Sequence, residues 1–196
     1  PMAGASLPVA AAAGDNVTVH SLDVTDGASV AALAAALSAE AIDVLLNNAG
    51  AYLDKGVGFG DSDFAAWEQS FRVNTLGPMR MAEAFVDHVA RGERKQMVCI
   101  SSKMGSQTDN TSGGAYAYRA SKAALNAVVR SLAADLGGWG ITVVAFHPGW
   151  VSTGMGGSDA PVTPAESVHG LRQVIEGLSP ADSGGSVPGR GVRAFA

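Results

Sequence analysis

Short apolar runs alternate with longer amphipathic stretches along this chain, and no other feature constrains its fold as strongly. Four runs, at residues 17–22, 42–46, 97–100 and 141–146, read as buried strands. Helical patterns lie between and after them. The first, over 28–37, sets Val30, Leu33 and Leu37 on one face. The second, over 64–89, places Phe64, Trp67, Phe71, Met81 and Phe85 at spacings of three, four or their multiples. The third, over 116–136, is expected to end at Gly137 and Gly138. The last opens on Thr163-Pro164-Ala165-Glu166, a capping box with proline at the first helical position, and carries Val168, Leu171 and Leu178. Strand and crossover helix in repeated succession predict an α/β fold with a doubly wound parallel sheet. Residues 1–183 are expected to form one domain. The tail 184–196, with Gly184, Gly185, Pro188, Gly189 and Gly191, has no strand pattern and is expected to be loose.

Composition narrows the function classes. Of 196 residues, 47% are hydrophobic and 16% charged, enough apolar material for one globular core and too much for a disordered chain. The net charge is −5, so no basic excess holds nucleic acid or anionic lipid. The single cysteine, Cys99, excludes an internal disulfide, and the four histidines show no ligand spacing, so no metal is expected. No apolar stretch has the length of about eighteen residues that a membrane span needs, and the opening segment lacks a basic leader; a cytoplasmic location is expected. The sequons at Asn16 and Asn110 then read as chance.

In an open parallel sheet, ligands bind beyond the carboxyl ends of the strands. The second run passes into Asn47-Asn48-Ala49-Gly50, the third into Ser101-Ser102, and the fourth into His147-Pro148-Gly149. Each alone reads as an ordinary turn, but three together point to a shared crevice. Two helices carry polar groups on buried faces. Asn74 shares the stripe of Phe71 and Met81, and Pro78 has no N–H to give the Asn74 carbonyl; a packing kink with a satisfied core amide reads equally well. Tyr118 and Lys122 stand one helical turn apart on the face of Leu125, Val129, Leu132 and Leu136. A cation there would stabilise phenolate and lower the tyrosine pKa, tuning a proton donor and acceptor. The plain alternative is a snorkelling lysine beside an aromatic ring. Tyr116 is excluded from such a pair, because the residue four positions on is Ala120.

Tyr118-Arg119-Ala120-Ser121-Lys122, the Asn47-Asn48-Ala49-Gly50 turn, the helical Asn74, Ser102, and Pro148-Gly149 with Thr153 resemble the motifs, in order, of the short-chain dehydrogenase/reductases. Residues 101–136 look most like the bacterial C-factor and sniffer-type carbonyl reductase branch, and the resemblance covers about 17–183. It implies a Rossmann-like fold and hydride transfer between NAD or NADP and a small carbonyl or alcohol substrate. It implies Tyr118 as proton donor, Ser102 as hydrogen-bond donor to the substrate oxygen, and Lys122 on the nicotinamide ribose. Asn74 would hold a relay water on its main-chain carbonyl. Asp23 and Val24 would meet adenine, and Asn47, Asn48, Ala49 and Gly50 would line the cofactor. Pro148, Gly149, Val151 and Thr153 would flank the nicotinamide. The family's long helices also form a dimer face, so the resemblance implies a homodimer or homotetramer.

The family's opening strand, glycine-rich turn, helix and second strand have no counterpart in these residues, so the sheet is expected to be incomplete on its N-terminal side. Either these residues are part of a longer chain or the run at 17–22 re-pairs or detaches, and the residues that choose NAD or NADP are not readable. Gly56-Val57-Gly58-Phe59-Gly60 has the wrong spacing and setting for a phosphate turn. The segments 103–114 and 150–158 are expected to wall the substrate pocket, with Met104, Trp150 and Met155 favouring an apolar substrate. The rival readings are a non-catalytic binding or signalling protein on the same scaffold, and an inactive fragment.

Overall fold

A computed structural model describes residues 16–184 and 193–194. Three parallel strands form the centre of the sheet: β1 (Val44–Asn47), β2 (Gln96–Ile100) and β3 (Thr142–His147). The register aligns Asn47 with Cys99 and Ile100 with Phe146, so the three strands end along one edge of the sheet. A two-residue β4 (Arg193–Ala194) pairs antiparallel with the end of β3. The expected tail without a strand therefore contains one, set by pairing with β3 and not by any local pattern; its other residues beyond Gly184 lie outside those described.

The helices are α1 (Gly27–Ala36), α2 (Phe64–Phe71), α3 (Gly77–Arg91), α4 (Tyr116–Leu136) and α5 (Pro164–Glu176). Each of α1, α2 and α5 starts where a side chain satisfies orphan N–H groups: Asp26, Asp63 and the Thr163–Glu166 box. Pleating separates two cores. Leu45, Met97, Cys99, Val143 and Ala145 face a cluster with Val30, Phe85, Val89, Leu125 and Val129 of α1, α3 and α4. Val98, Val144 and Phe146 face the opposite way, against Leu171, Val174 and Ile175 of α5. Both faces of β2 and β3 are covered, as a doubly wound sheet requires.

Three sequence expectations change. Residues 17–22 do not form a strand: they carry no regular secondary structure, with Val17 52% and Val19 54% exposed, and no strand among the described residues pairs with them. The single helix expected over 64–89 is interrupted by a π-helical segment, Arg72–Leu76. An extra residue in that turn rotates the following helix by about one residue, roughly 100°. The buried stripe consequently runs through Ser70 and Asn74 to Met81 and Phe85, while Phe64 is left 73% exposed. The third helix ends at Leu136 as expected, but the chain continues through a short 3₁₀ turn, Gly137–Trp139, and reverses at Gly140, whose φ of +73° suits glycine.

Candidate active site

The turns after β2 and β3, with Tyr52 and Lys55 from the loop after β1, surround one cavity of about 480 Å³; Asn47, Asn48, Ala49 and Gly50 are not among its lining residues. Ser101 and Ser102 line it from the end of β2, and His147, Pro148 and Gly149 from the end of β3. Tyr118 lines it from the first turn of α4. Met104, Trp150 and Met155 supply apolar wall, as does Val151 beside Thr153. Gly149 turns the chain at φ +90°, a conformation that β-carbons resist, and the Pro148 carbonyl accepts from the Ser167 hydroxyl of α5 at 2.7 Å. Trp150 Nε1 donates to the Gly156 carbonyl, which closes the 150–156 loop on itself where it lines the cavity.

Lys122 sits one turn behind Tyr118 and is almost fully buried. Its Nζ donates to the Ile100 carbonyl at 2.7 Å and stands 5.9 Å from the Tyr118 ring centre. Burial, opposed weakly by Cys99, pushes its pKa down to about 8. Cys99 is itself driven up to about 11, chiefly by burial and despite the Asn47 amide beside its sulfur, so it is an inert core thiol. The expected lowering of the Tyr118 pKa is not found. Burial raises it above the ordinary value; the neighbouring Ser102 hydroxyl opposes that rise and Tyr52 adds to it. The ammonium of Lys122 is turned toward Ile100, and at 5.9 Å it does not offset the desolvation.

Asn74 is fully buried and all its amide groups are used. Its Oδ1 accepts from Ala51 N, and its Nδ2 donates to the Ala51 carbonyl and to Ser121 Oγ, each within 2.9 Å. The π-helical turn brings this side chain round to the strand-end loop. A β-carbon on Gly50 would lie 3.6 Å from Asn74 Oδ1 and 3.8 Å from Lys122 Nζ, so the Asn-Asn-Ala-Gly turn, Asn74 and Lys122 meet at one point. Asn48, Ala49 and Gly50 are exposed there, whereas Asn47 is buried against Cys99.

Asp23 and Val24 lie apart from the cavity, before α1. Asp23 accepts from Thr25 through both the hydroxyl and the N–H, which lowers its pKa, and the Val24 side chain covers Gly77 of α3. Thr153 Oγ1 accepts from Gly156 N inside its own loop. Three site residues escaped the sequence reading: Tyr52 and Lys55, which line the cavity, and Asp54. The Tyr52 ring is stacked on the Tyr118 ring with centres 4.2 Å apart, and Asp54 is buried behind it. A signal for Asp54 existed: Ala115, ahead of α4, is no capping residue, so the helix needed an acceptor from elsewhere.

Residues 5–162 match the family model for short chain dehydrogenase, and the chain belongs to that family of oxidoreductases. It is 46% identical over 145 residues to C-signal of Myxococcus xanthus, covering 73% of this chain and 86% of that one. It is 39% identical over 182 residues to 1-hydroxy-2-glutathionyl-2-methyl-3-butene dehydrogenase of Rhodococcus sp. (strain AD45), covering 89% and 77% of the two chains. Among solved structures it is similar to the NADPH-bound carbonyl reductase from chicken fatty liver, with a TM-score of 0.82 and 33% identity over 89% of this chain and 75% of that one. Carbonyl reductase Sniffer of D. melanogaster gives 0.81 and 31%, over 86% and 74%. These likenesses show a Rossmann-like fold. No helix among the described residues is long and apolar enough to cross a membrane.

Proposed function

We propose that this chain is a carbonyl reductase or alcohol dehydrogenase dependent on NADP or NAD, with Tyr118, Ser102, Lys122 and Asn74 as its working residues. The observation that carries the reading is the convergence of the Tyr118 and Ser102 side chains on one apolar-walled cavity with the Lys122 ammonium buried behind them. Pro148, Gly149, Val151 and Thr153 would flank a nicotinamide ring, and Gly50, which has no β-carbon, leaves the space 3.8 Å from the Lys122 ammonium unfilled for a ribose. Asn48, Ala49 and Gly50 extend that path along the strand ends, toward Asp23 and Val24 for the adenine. The relatives named for bound NADPH and for carbonyl reductase support the assignment.

When bound, the nicotinamide supplies the hydride. Tyr118, kept protonated by its raised pKa, gives its proton to the carbonyl oxygen, and Ser102 donates a hydrogen bond to the same oxygen. Lys122 would hold the nicotinamide ribose, its ammonium fixed by the Ile100 carbonyl. The Asn74 side chain fixes the strand-end loop, and its main-chain carbonyl holds the water through which the phenol proton is renewed. Met104, Trp150 and Met155 select an apolar substrate body and exclude water. The test is incubation of the chain with 4-deuterated NADPH and 4-nitrobenzaldehyde. With both C4 positions of the cofactor deuterated, and NADH tested in parallel, deuterium at the benzylic carbon of the product alcohol is expected; alcohol without deuterium, or no alcohol with either cofactor, refutes the reading. The likeness to C-signal favours a second reading, a non-catalytic binding role, which predicts NADPH binding without transfer.

A further inference from the structure

Helix α4 carries Tyr118 and Lys122, yet it begins without a cap of its own. Ala115 precedes it in the left-handed region, at φ 48°, and no local side chain takes its first N–H groups. Those groups need acceptors, the more so because this end of the helix is buried. Asp54 supplies them from a loop distant in sequence. Its carboxylate is 5% exposed and accepts from Ala117 N at 2.7 Å and from Tyr118 N at 3.2 Å. A buried carboxylate is costly unless it is well partnered, and two N–H groups at a helix N-terminus are strong partners for a negative charge. The ion pair found among the described residues is Arg172–Glu176, so these N–H groups, and not a cation, hold the charge.

The same loop is fastened on both sides of Asp54. Ala51 is bound through both backbone groups to Asn74, and Val57 accepts from Ala115 N while donating to the Asp54 carbonyl. Between these anchors, Tyr52 lies flat on the Tyr118 ring at 4.2 Å and 21°. Backbone and ring of Tyr118 are therefore both held by this one loop.

We infer that Asp54 is a positioning residue: as a cap supplied from the β1 loop, it fixes the first turn of α4 and thereby aims the Tyr118 phenol at the cavity. The inference rests on Tyr118 being the proton donor. Releasing the cap would let the first turn fray, misplacing the phenol while leaving the apolar walls that bind substrate intact.

The experiment compares native chain, Asp54→Ala, Asp54→Asn and Tyr118→Phe by amide hydrogen exchange and by steady-state kinetics with NADPH and 4-nitrobenzaldehyde. In Asp54→Ala the Ala117 and Tyr118 amides exchange about tenfold faster and kcat falls about tenfold, with KM for the aldehyde within about threefold of native. The amides of β2 and β3 keep their native exchange. Asp54→Asn, which retains one acceptor oxygen, falls between native and Asp54→Ala in both readouts. Native exchange and native kcat in Asp54→Ala overturn the inference; so does a loss of kcat in Asp54→Asn with exchange unchanged at Ala117 and Tyr118. If Asp54→Ala does not fold, Asp54→Asn decides: faster exchange confined to the first turn with reduced kcat supports the inference, and native behaviour in both overturns it. Native turnover by Tyr118→Phe defeats the proton-donor role itself, whatever the exchange data show for Asp54.

Discussion

At Tyr118, burial and polar neighbours pull in opposite directions, and burial wins. Desolvation raises the phenol, Ser102 opposes it, and Tyr52 adds to the rise. The sign has a kinetic consequence. With a pKa above the ordinary 10.0, the phenol remains protonated through neutral pH, the form needed to give a proton to a carbonyl oxygen. Alcohol oxidation needs the deprotonated form, which grows tenfold with each pH step below that pKa. Carbonyl reduction is therefore expected to be insensitive to the state of Tyr118 between pH 6 and 8, while oxidation rises with a slope of about one in log rate toward pH 9. Paired pH profiles of the two directions check this, and an oxidation rate that levels off near pH 7 counts against it. The expectation from spacing alone, that Lys122 would lower the phenol, fails because spacing gives neither the 5.9 Å separation nor the Ile100 carbonyl that engages the ammonium.

Among elements, the packing of the Ser102 turn onto α4 sets the site. Gly105 closes the short turn Lys103–Gly105, and a β-carbon there would come within 2.9 Å of the Lys122 carbonyl carbon. Backbone cannot yield at so short a distance, so Gly105→Ala is expected to cost about 1–3 kcal/mol of stability and to shift Ser102 relative to Lys122. Denaturant unfolding should show that loss together with a fall in kcat. A variant as stable and as active as the native chain would show that the turn and the helix are not tightly coupled. The three sheet runs, the Thr163 cap and the Tyr118–Lys122 face were legible because each follows from a local period or cap. The π turn at Asn74 was not, because it depends on what the side chain reaches: the Ala51 backbone, 23 residues away. Tyr52 and Asp54 were hidden for a similar reason, since their loop has no period and its meaning comes from α4. Residues 17–22 carried a strand pattern, but a pattern forms a strand only where a neighbour completes the ladder.

In the whole molecule, two cores on opposite faces of the sheet hold the strand ends in register; that alignment delivers Ser102, while α4 and the π-helical turn bring Tyr118, Lys122 and Asn74. In the proposed reaction the chemistry depends on one phenol, Tyr118, with Ser102 beside it in the cavity and Lys122 buried behind it. The most direct measurement is the rate of NADPH oxidation with 4-nitrobenzaldehyde by the native chain and by Tyr118→Phe, with NADPH binding followed through quenching of Trp150, which lines the cavity. The account predicts turnover by the native chain, a loss of about 10²–10⁴-fold in Tyr118→Phe, and the same NADPH affinity in both. Equal rates in the two proteins, with binding intact, would contradict it.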